Sequence, residues 1–453
     1  MATKQPNLKL AAMLALAQFS NQRLARHVVT IAGEAGVQVS YDHVSVKRWL
    51  DGAQPRGAVP QFIATALSRK LGRPVSLVDI GMETAEGPAF PEPTYAEAAV
   101  GGVAAALSMI KADLAGSATA TLPGVSSEAW TDLMVQWLLA PDDAQSIDPR
   151  DLSSLSPAVA VRYTTESFAQ IDYRFGGGHA RQAFLTYFES GVAPALRTAN
   201  AETQVGQALY EEGAALLRLI AWSSYDMGMH GAAQRYFAQA LRLAQAAGNR
   251  ALGGRILAGM SHQANFLGDF DRAVNLARTA VRGAGGVATA TGMALFHAME
   301  ARALASKGDE AACIRALALA ESWFERRSPQ NDPYWLHYFD EAELAAEHAH
   351  CFRELGKPGL SAEYAARAMA LHGSQYVRSM TFVRTVLATS HIARGELDQG
   401  LSIASDVVDV ARGGLQSVRT AAYIREFLAR LQPYRKESRV EEFHRDATGI
   451  LQS

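Results

Sequence analysis

Apolar residues recur along this chain at helical rather than strand spacing, and the pattern changes character twice. Leu8–Phe19 is apolar nearly all round and predicts a first, largely buried helix. Ser20 caps a second, Asn21–Ile31, with Leu24, Ala25 and Val28 on one face and Arg23 and Arg26 on the other. Gly33 and Gly36 break the chain before a third helix within Val37–Gly52. Ser40 is its expected N-cap, Asp42 lies in its first turn, Lys47 and Arg48 lie near its end, and Gly52 supplies the left-handed exit. Val46, Trp49 and Leu50 form one apolar stripe, which leaves Tyr41, His43, Val44, Ser45, Lys47 and Arg48 on the other faces. Pro55 and Pro60, a fourth helix over Gln61–Leu71 and a Ser76-capped turn to Gly81 complete a head of five short helices.

Glu83–Pro93 reads as a linker, Tyr95–Leu114 as a connecting helix, and Ala115–Ser127 as loose small-residue sequence before the body resumes at Glu128. The domains are therefore placed at 1–82, 83–127 and 128–453. From Leu216 the body repeats. Glycines expected at helix-pair turns stand at Gly228, Gly268, Gly308, Gly356 and Gly395, spaced 40, 40, 48 and 39. Seven residues before each stands Ala221, Ser261, Ala301, Ala349 or Ala388; five after, Ala233, Ala273, Cys313, Ser361 or Gly400. Twelve after come Ala240, Ala280, Ala320 and Ala368, with Val407 the exception. Small residues at fixed offsets let antiparallel helices approach closely while larger side chains fill the layers. Five helix pairs are expected from Ala214 to about Leu415, with Leu152–Asn200 a degenerate pair and Gln416–Leu451 a closing pair. The expected class is all-α: a five-helix helix-turn-helix head followed by an α-solenoid.

Charge sharpens the division. The 453-residue chain is 19% charged with a net charge of −2. Residues 1–80 hold ten basic and four acidic groups, a net of +6, against −8 for the remainder. A basic head on an acidic body suits a nucleic-acid reader joined to a domain of another purpose. Lys4 and Lys9 before Leu10–Ala17 mimic a signal peptide, but the apolar run is short and continues a helical pattern, so the cytoplasm is the expected compartment. No apolar run approaches the ~20 residues of a spanning helix, and no membrane partner is expected. Cys313 and Cys351 have no CxxC partner and suit a reducing compartment.

No HExxH, GxSxG or P-loop is present, so no enzyme is expected. Phe175-Gly-Gly-Gly-His-Ala-Arg181 lacks the preceding strand and the Lys-Ser/Thr of a phosphate cradle and reads as a helix break. His348 and His350, two apart, do not share a helical face, and no metal or cofactor is expected.

The ordered set Leu24-Ala-Arg, Tyr41-Asp, Ser45-Val, Arg48-Trp-Leu, Gly52, Pro55-Arg and Leu71-Gly-Arg resembles the XRE-type helix-turn-helix head of a group of actinobacterial regulators. The stretches FLGDFDRAVNLARTAV and DMGMHGAAQRYFAQALRLA resemble the tetratricopeptide repeat, with a longer period than that family's usual one. Two features depart from the compact repressor pattern. The link Ala32–Val39 is long, and Val44 stands where such heads often carry a polar base reader. The resemblance implies a third helix docked in the major groove of double-stranded DNA. There Arg48 or Lys47 would address guanine, Ser45, His43 and Tyr41 a base edge or phosphate, and Val44 a thymine methyl. Arg23, Arg26 and Arg56 would clamp phosphates.

In the repeat register the concave face offers Arg218, Trp222, Tyr225, His262, Asn265, Arg302, His350 and Arg353. Asparagine can pair with peptide backbone, arginine with carboxylates, and aromatic rings supply apolar area. The head-plus-array plan is shared by RRNPP-type regulators, which implies a peptide or small-molecule effector and a homodimer on paired half-sites. The competing reading is a tetratricopeptide interaction scaffold whose head does not bind DNA.

Overall fold

The computed structural model describes residues 6–34, 39–55, 59–71, 75, 77, 79–82, 92–96, 98–116, 119, 122–139 and 156–451. Every regular element among them is helical, and no helix among them is long and apolar enough to cross a membrane. The chain divides into two compact units, residues 1–91 with 121–123, and residues 92–120 with 124–453.

The first unit holds α1 (Leu8–Leu16), α2 (Asn21–Glu34), α3 (His43–Leu50) and α4 (Val59–Leu71). A turn follows, closed by the Met82 amide donating to Leu77 O at 3.0 Å. Leu10, Leu24, Val28, Val46, Trp49, Ile63 and Leu67 share one core. Asn7 ties three parts of the unit together. Its side chain accepts from the Leu10 amide at 2.9 Å and donates to Ile80 O at 2.8 Å, while its own amide donates to Leu50 O at 2.8 Å. Three details differ from the sequence reading. The first helix stops at Leu16, because Gln18 takes a left-handed φ of 51°. Gly33 stays within α2 instead of breaking it. Asp42, not Ser40, caps α3: its extended backbone lets its carboxylate accept from the Ser45 amide at 2.9 Å.

The second unit begins with α5 (Ala99–Leu114) and α6 (Ser127–Leu139), followed by α7 (Pro157–Phe175), α8 (Gly177–Tyr187) and α9 (Ala193–Thr198). Helix pairs then stack in order: α10 (Gln204–Asp226) with α11 (His230–Ala246), and α12 (Arg250–Phe266) with α13 (Phe270–Ala284). Next come α14 (Ala290–Lys307) with α15 (Glu310–Glu325), and α16 (Glu341–Glu354) with α17 (Pro358–Leu371). Then come α18 (Val377–Ala393) with α19 (Leu397–Arg412), and a closing pair, α20 (Val418–Arg430) with α21 (Ser438–Leu451).

All five turn glycines lie between the helices of a pair with φ between 67° and 82°, a conformation that suits a residue without Cβ. The small residues meet across each pair as their spacing requires. Ser261 Oγ donates to Ala273 O at 2.8 Å, and Ser361 Oγ to Ala349 O at 2.9 Å, the same two register positions with donor and acceptor exchanged. The longer interval before Gly356 holds an insertion, residues 326–340, with two short 3-10 turns. The connecting helix expected from the sequence is α5, and it packs on α11, while α6 packs on α13. Trp137 of α6 is buried over Gly253 and Gly283, where a Cβ would collide with its ring.

The stack also meets itself. Helix α18 contacts α7, and residue 416 pairs with the glycine break between α7 and α8. The Gln416 amide donates to Phe175 O at 2.9 Å, and the Gly178 amide donates to Gln416 O at 3.2 Å. Gly176 has φ 86°, and a Cβ there would overlap Gln416 O, so the break expected at Phe175–Arg181 is the notch that receives the returning chain.

Candidate functional site

The exposed face of α3 is built by its cap and its core stripe. Val46 and Trp49 are buried, and the two-way bond between Asp42 and Ser45 fixes the helix start. That leaves His43, Val44, Lys47 and Arg48 exposed, with Arg23 and Arg26 exposed on α2. None of these four cationic residues has an acidic partner among the described residues. Two of the predicted readers are engaged within the unit. Ser45 Oγ donates to Asp42 Oδ1 at 2.9 Å, and Tyr41 is half-buried edge-on against Trp49, ring centres 5.2 Å apart. Arg56 lies outside the described residues.

The second unit holds a cavity of ≈ 80 Å³. Five of the eight predicted concave residues line it: Arg218, Trp222, His262, Arg302 and His350. The other three lie behind the wall. The Tyr225 hydroxyl shares a hydrogen bond with His262 Nδ1 at 3.0 Å, and Arg353 lies over the Tyr423 ring at 5.4 Å. Asn265 Oδ1 is buried without a partner, a turn beyond His262. Arg302, expected to grip a ligand, already binds the chain: it donates to Glu347 at 2.8 Å and to the Tyr423 hydroxyl at 3.2 Å.

Sequence reasoning missed the residues that the self-contact brings in. Arg378 donates to Asp172 Oδ2 at 2.7 Å and lies 3.4 Å from Asp226 Oδ2. Arg419 donates through Nε to Asp226 Oδ1 at 2.7 Å and faces the rings of Trp222, Tyr225 and Phe382. Asp226 also accepts from the Gly177 amide at 2.9 Å and the Ser417 hydroxyl at 2.9 Å. Arg255 and Tyr338 also line the cavity and were not predicted, with the guanidinium 4.8 Å from the ring centre. Arg255 had a signal: it lies seven residues before His262, two turns up the same helical stripe.

Burial sets the protonation states. It pushes the Glu343 carboxyl up to about 8, aided by Glu347, and that of Glu212 up to about 8, aided by Glu211. It holds the His262 and His350 imidazoles well below their ordinary value, with Arg302 adding to the effect on both. The folded chain therefore keeps protons on Glu343 and Glu212 that the unfolded chain releases near 4.5, so stability falls as pH rises between those values. The neutral histidines oppose this trend only below about pH 6.5, where the unfolded imidazoles take up protons. Between about pH 6.5 and 8 the carboxyls should dominate, each contributing a loss of about 1 kcal/mol per pH unit. Glu343→Gln is expected to remove its own share of that loss, about 1 kcal/mol per pH unit, which urea unfolding at a series of pH values measures.

Together these features define an all-helical chain with a small helical head bearing an exposed basic helix without acidic partners among the described residues, and a helix-pair stack with a lined cavity. A family model described as the SP15 N-terminal domain matches residues 10–83, spanning nearly all of the head's helices. No curated protein matches the chain.

Proposed function

We propose that this chain is a sequence-specific DNA-binding transcriptional regulator. Its head docks α3 in the major groove, and its tetratricopeptide-like unit mediates self-association and holds an effector. The observation that carries this reading is the division of α3: Val46 and Trp49 anchor one face, while His43, Val44, Lys47 and Arg48 stand exposed on the other. A helix held this way presents donors and a methyl-bearing side chain to base edges, and Arg23 and Arg26 on α2 suit phosphates. An effector preferring one arrangement of the stack would shift the spacing of two heads on paired half-sites.

Fluorescence anisotropy of the full chain on duplex DNA tests the reading. Binding to generic duplex is expected in roughly the micromolar range at low salt, weakening steeply as salt rises. Arg48→Ala is expected to lose about 1–3 kcal/mol of discrimination between sites. Arg26→Ala should instead weaken all sites alike and reduce the salt slope by about one. The scaffold reading draws on the engagement of Tyr41 and Ser45 within the head. A full chain that ignores duplex at low salt decides for it.

A further inference from the structure

We propose that the cavity of the second unit binds a small organic anion, with its charged head held between Arg218 and Arg255 and its apolar body among the lining rings. The inference follows from which charges around the cavity have partners. Its lining carries five arginines: Arg218, Arg255, Arg302, Arg378 and Arg419. Arg302 is matched by Glu347, Arg378 by Asp172 and Arg419 by Asp226, each at 2.8 Å or less. Glu343, the remaining carboxyl of the lining, forms no ion pair with an arginine among the described residues, and burial with Glu347 pushes it up to about 8 against the pull of Arg302 and Arg255. Two cations are left over.

Those two line the same cavity, from consecutive helix pairs. Arg218 of α10 is 6% exposed and Arg255 of α12 is 6% exposed, and neither has an ion-pair partner among the described residues. The Nε of each is buried without a hydrogen-bond partner among the described residues. Burial pulls the Arg218 guanidinium down to about 10, and the charge on Arg255 adds to the effect. Two buried cations without carboxylate partners in one cavity are unfavourable for the empty protein, and an anion between them removes both the repulsion and the orphaned donors. A planar guanidinium pair suits a carboxylate or phosphate through bidentate bonds.

The rest of the wall selects the body. Trp222, Phe382, Leu295 and Met299 supply apolar surface, and a volume of ≈ 80 Å³, room for several waters, limits the body to about a single ring. His262 and His350 are held neutral, so they offer hydrogen bonds without further charge. The stack meets itself at the Asp226 cluster, and the arginines bordering that contact already have carboxylates. This directs the ligand's charge to Arg218 and Arg255.

The proposal rests on the reading of this unit as the effector-holding part, but its test uses no DNA. A chain that takes the anion and ignores duplex overturns the regulator and leaves the site. A chain that binds duplex and ignores every anion does the reverse. The experiment is thermal unfolding of the full chain, Arg218→Met and Arg255→Met, at constant ionic strength. The probes are phenyl phosphate, phenylacetate and N-acetylphenylalanine, with phenylacetamide as the neutral control.

The native chain should show a saturable rise in Tm with at least one anion and none with the amide. The anion that acts separates a phosphate, a simple carboxylate and a peptide-like terminus as the source of the charge. Each variant should raise the half-saturating concentration about tenfold or more. Without ligand, each should melt at or above the native temperature, because removing one of two unmatched cations relieves repulsion; a merely structural arginine would lower it. No response to any anion, an equal response to the amide, an unchanged response in the variants, or unliganded variants that melt lower would each overturn the site.

Discussion

Asp226→Asn is expected to destabilise the second unit by about 3–5 kcal/mol, the effect of removing one partner from a buried, hydrogen-bonded charge cluster. The carboxylate receives four donors: the Gly177 amide, the Ser417 hydroxyl, Arg419 Nε and Arg378 Nη1. An amide replaces one acceptor with a donor facing other donors, and leaves Arg419 buried between aromatic faces with no matching charge. Burial alone would raise the Asp226 carboxyl, but Arg378 and Arg419 hold it below its ordinary value. Its contribution is therefore complete at neutral pH and lost only as pH falls into the acid range. Chemical denaturation gives the magnitude. Hydrogen exchange locates it: amides of α20 and of the α7–α8 break should exchange faster, with α13 and α15 little changed. A loss below about 1 kcal/mol would show that the cluster is not what joins those elements.

The second large effect concerns the fit of Trp137. Its indole is 1% exposed and lies where a Cβ on Gly283 would overlap the ring, and where one on Gly253 would come 2.6 Å from Nε1. Trp137→Ala is expected to cost about 3–5 kcal/mol through lost contacts and a cavity. Gly283→Ala should cost about 1–3 kcal/mol by forcing the ring aside. The two should not add. With the indole gone, the new methyl enters vacated space, and the double variant should be no less stable than Trp137→Ala alone. Additive losses would mean that Gly283 matters for helix α13 itself rather than for the ring.

What the sequence discloses here depends on the range of the interaction. The turn glycines and the small residues at fixed offsets act between helices adjacent in the chain, so their spacing predicts the helix pairs and which side chains share a face. Arg218, Trp222, His262, Arg302 and His350 line one cavity for that reason. The roles of those residues were less legible. Arg302 looks like a ligand contact by its position, but Glu347 claims it, and no helical period announces that pairing. The head shows the same limit on a smaller scale. The stripe of Val46 and Trp49 is a matter of spacing, whereas the cap depends on the backbone at residue 42, which favours Asp42 over Ser40. Asp172, Arg378 and Arg419 escaped altogether, because nothing in a repeat pattern indicates that distant repeats touch. The triple glycine was visible as a break, while its partner at residue 416 was not.

That same contact has a consequence for how the second unit comes together. Arg378 reaches Asp172 across 206 positions of chain, and Arg419 reaches Asp226 across 193. An open array of repeats gains its contacts between nearest neighbours and can lengthen or shorten by one unit at an end. Here the last pair completes the first, so no terminal unit is dispensable. Such long loop closures raise contact order, which slows assembly relative to an open stack of equal length. Truncation after α17 should therefore loosen α7 and α10 rather than leave a shorter stable stack, a difference that limited proteolysis of the truncated chain would reveal.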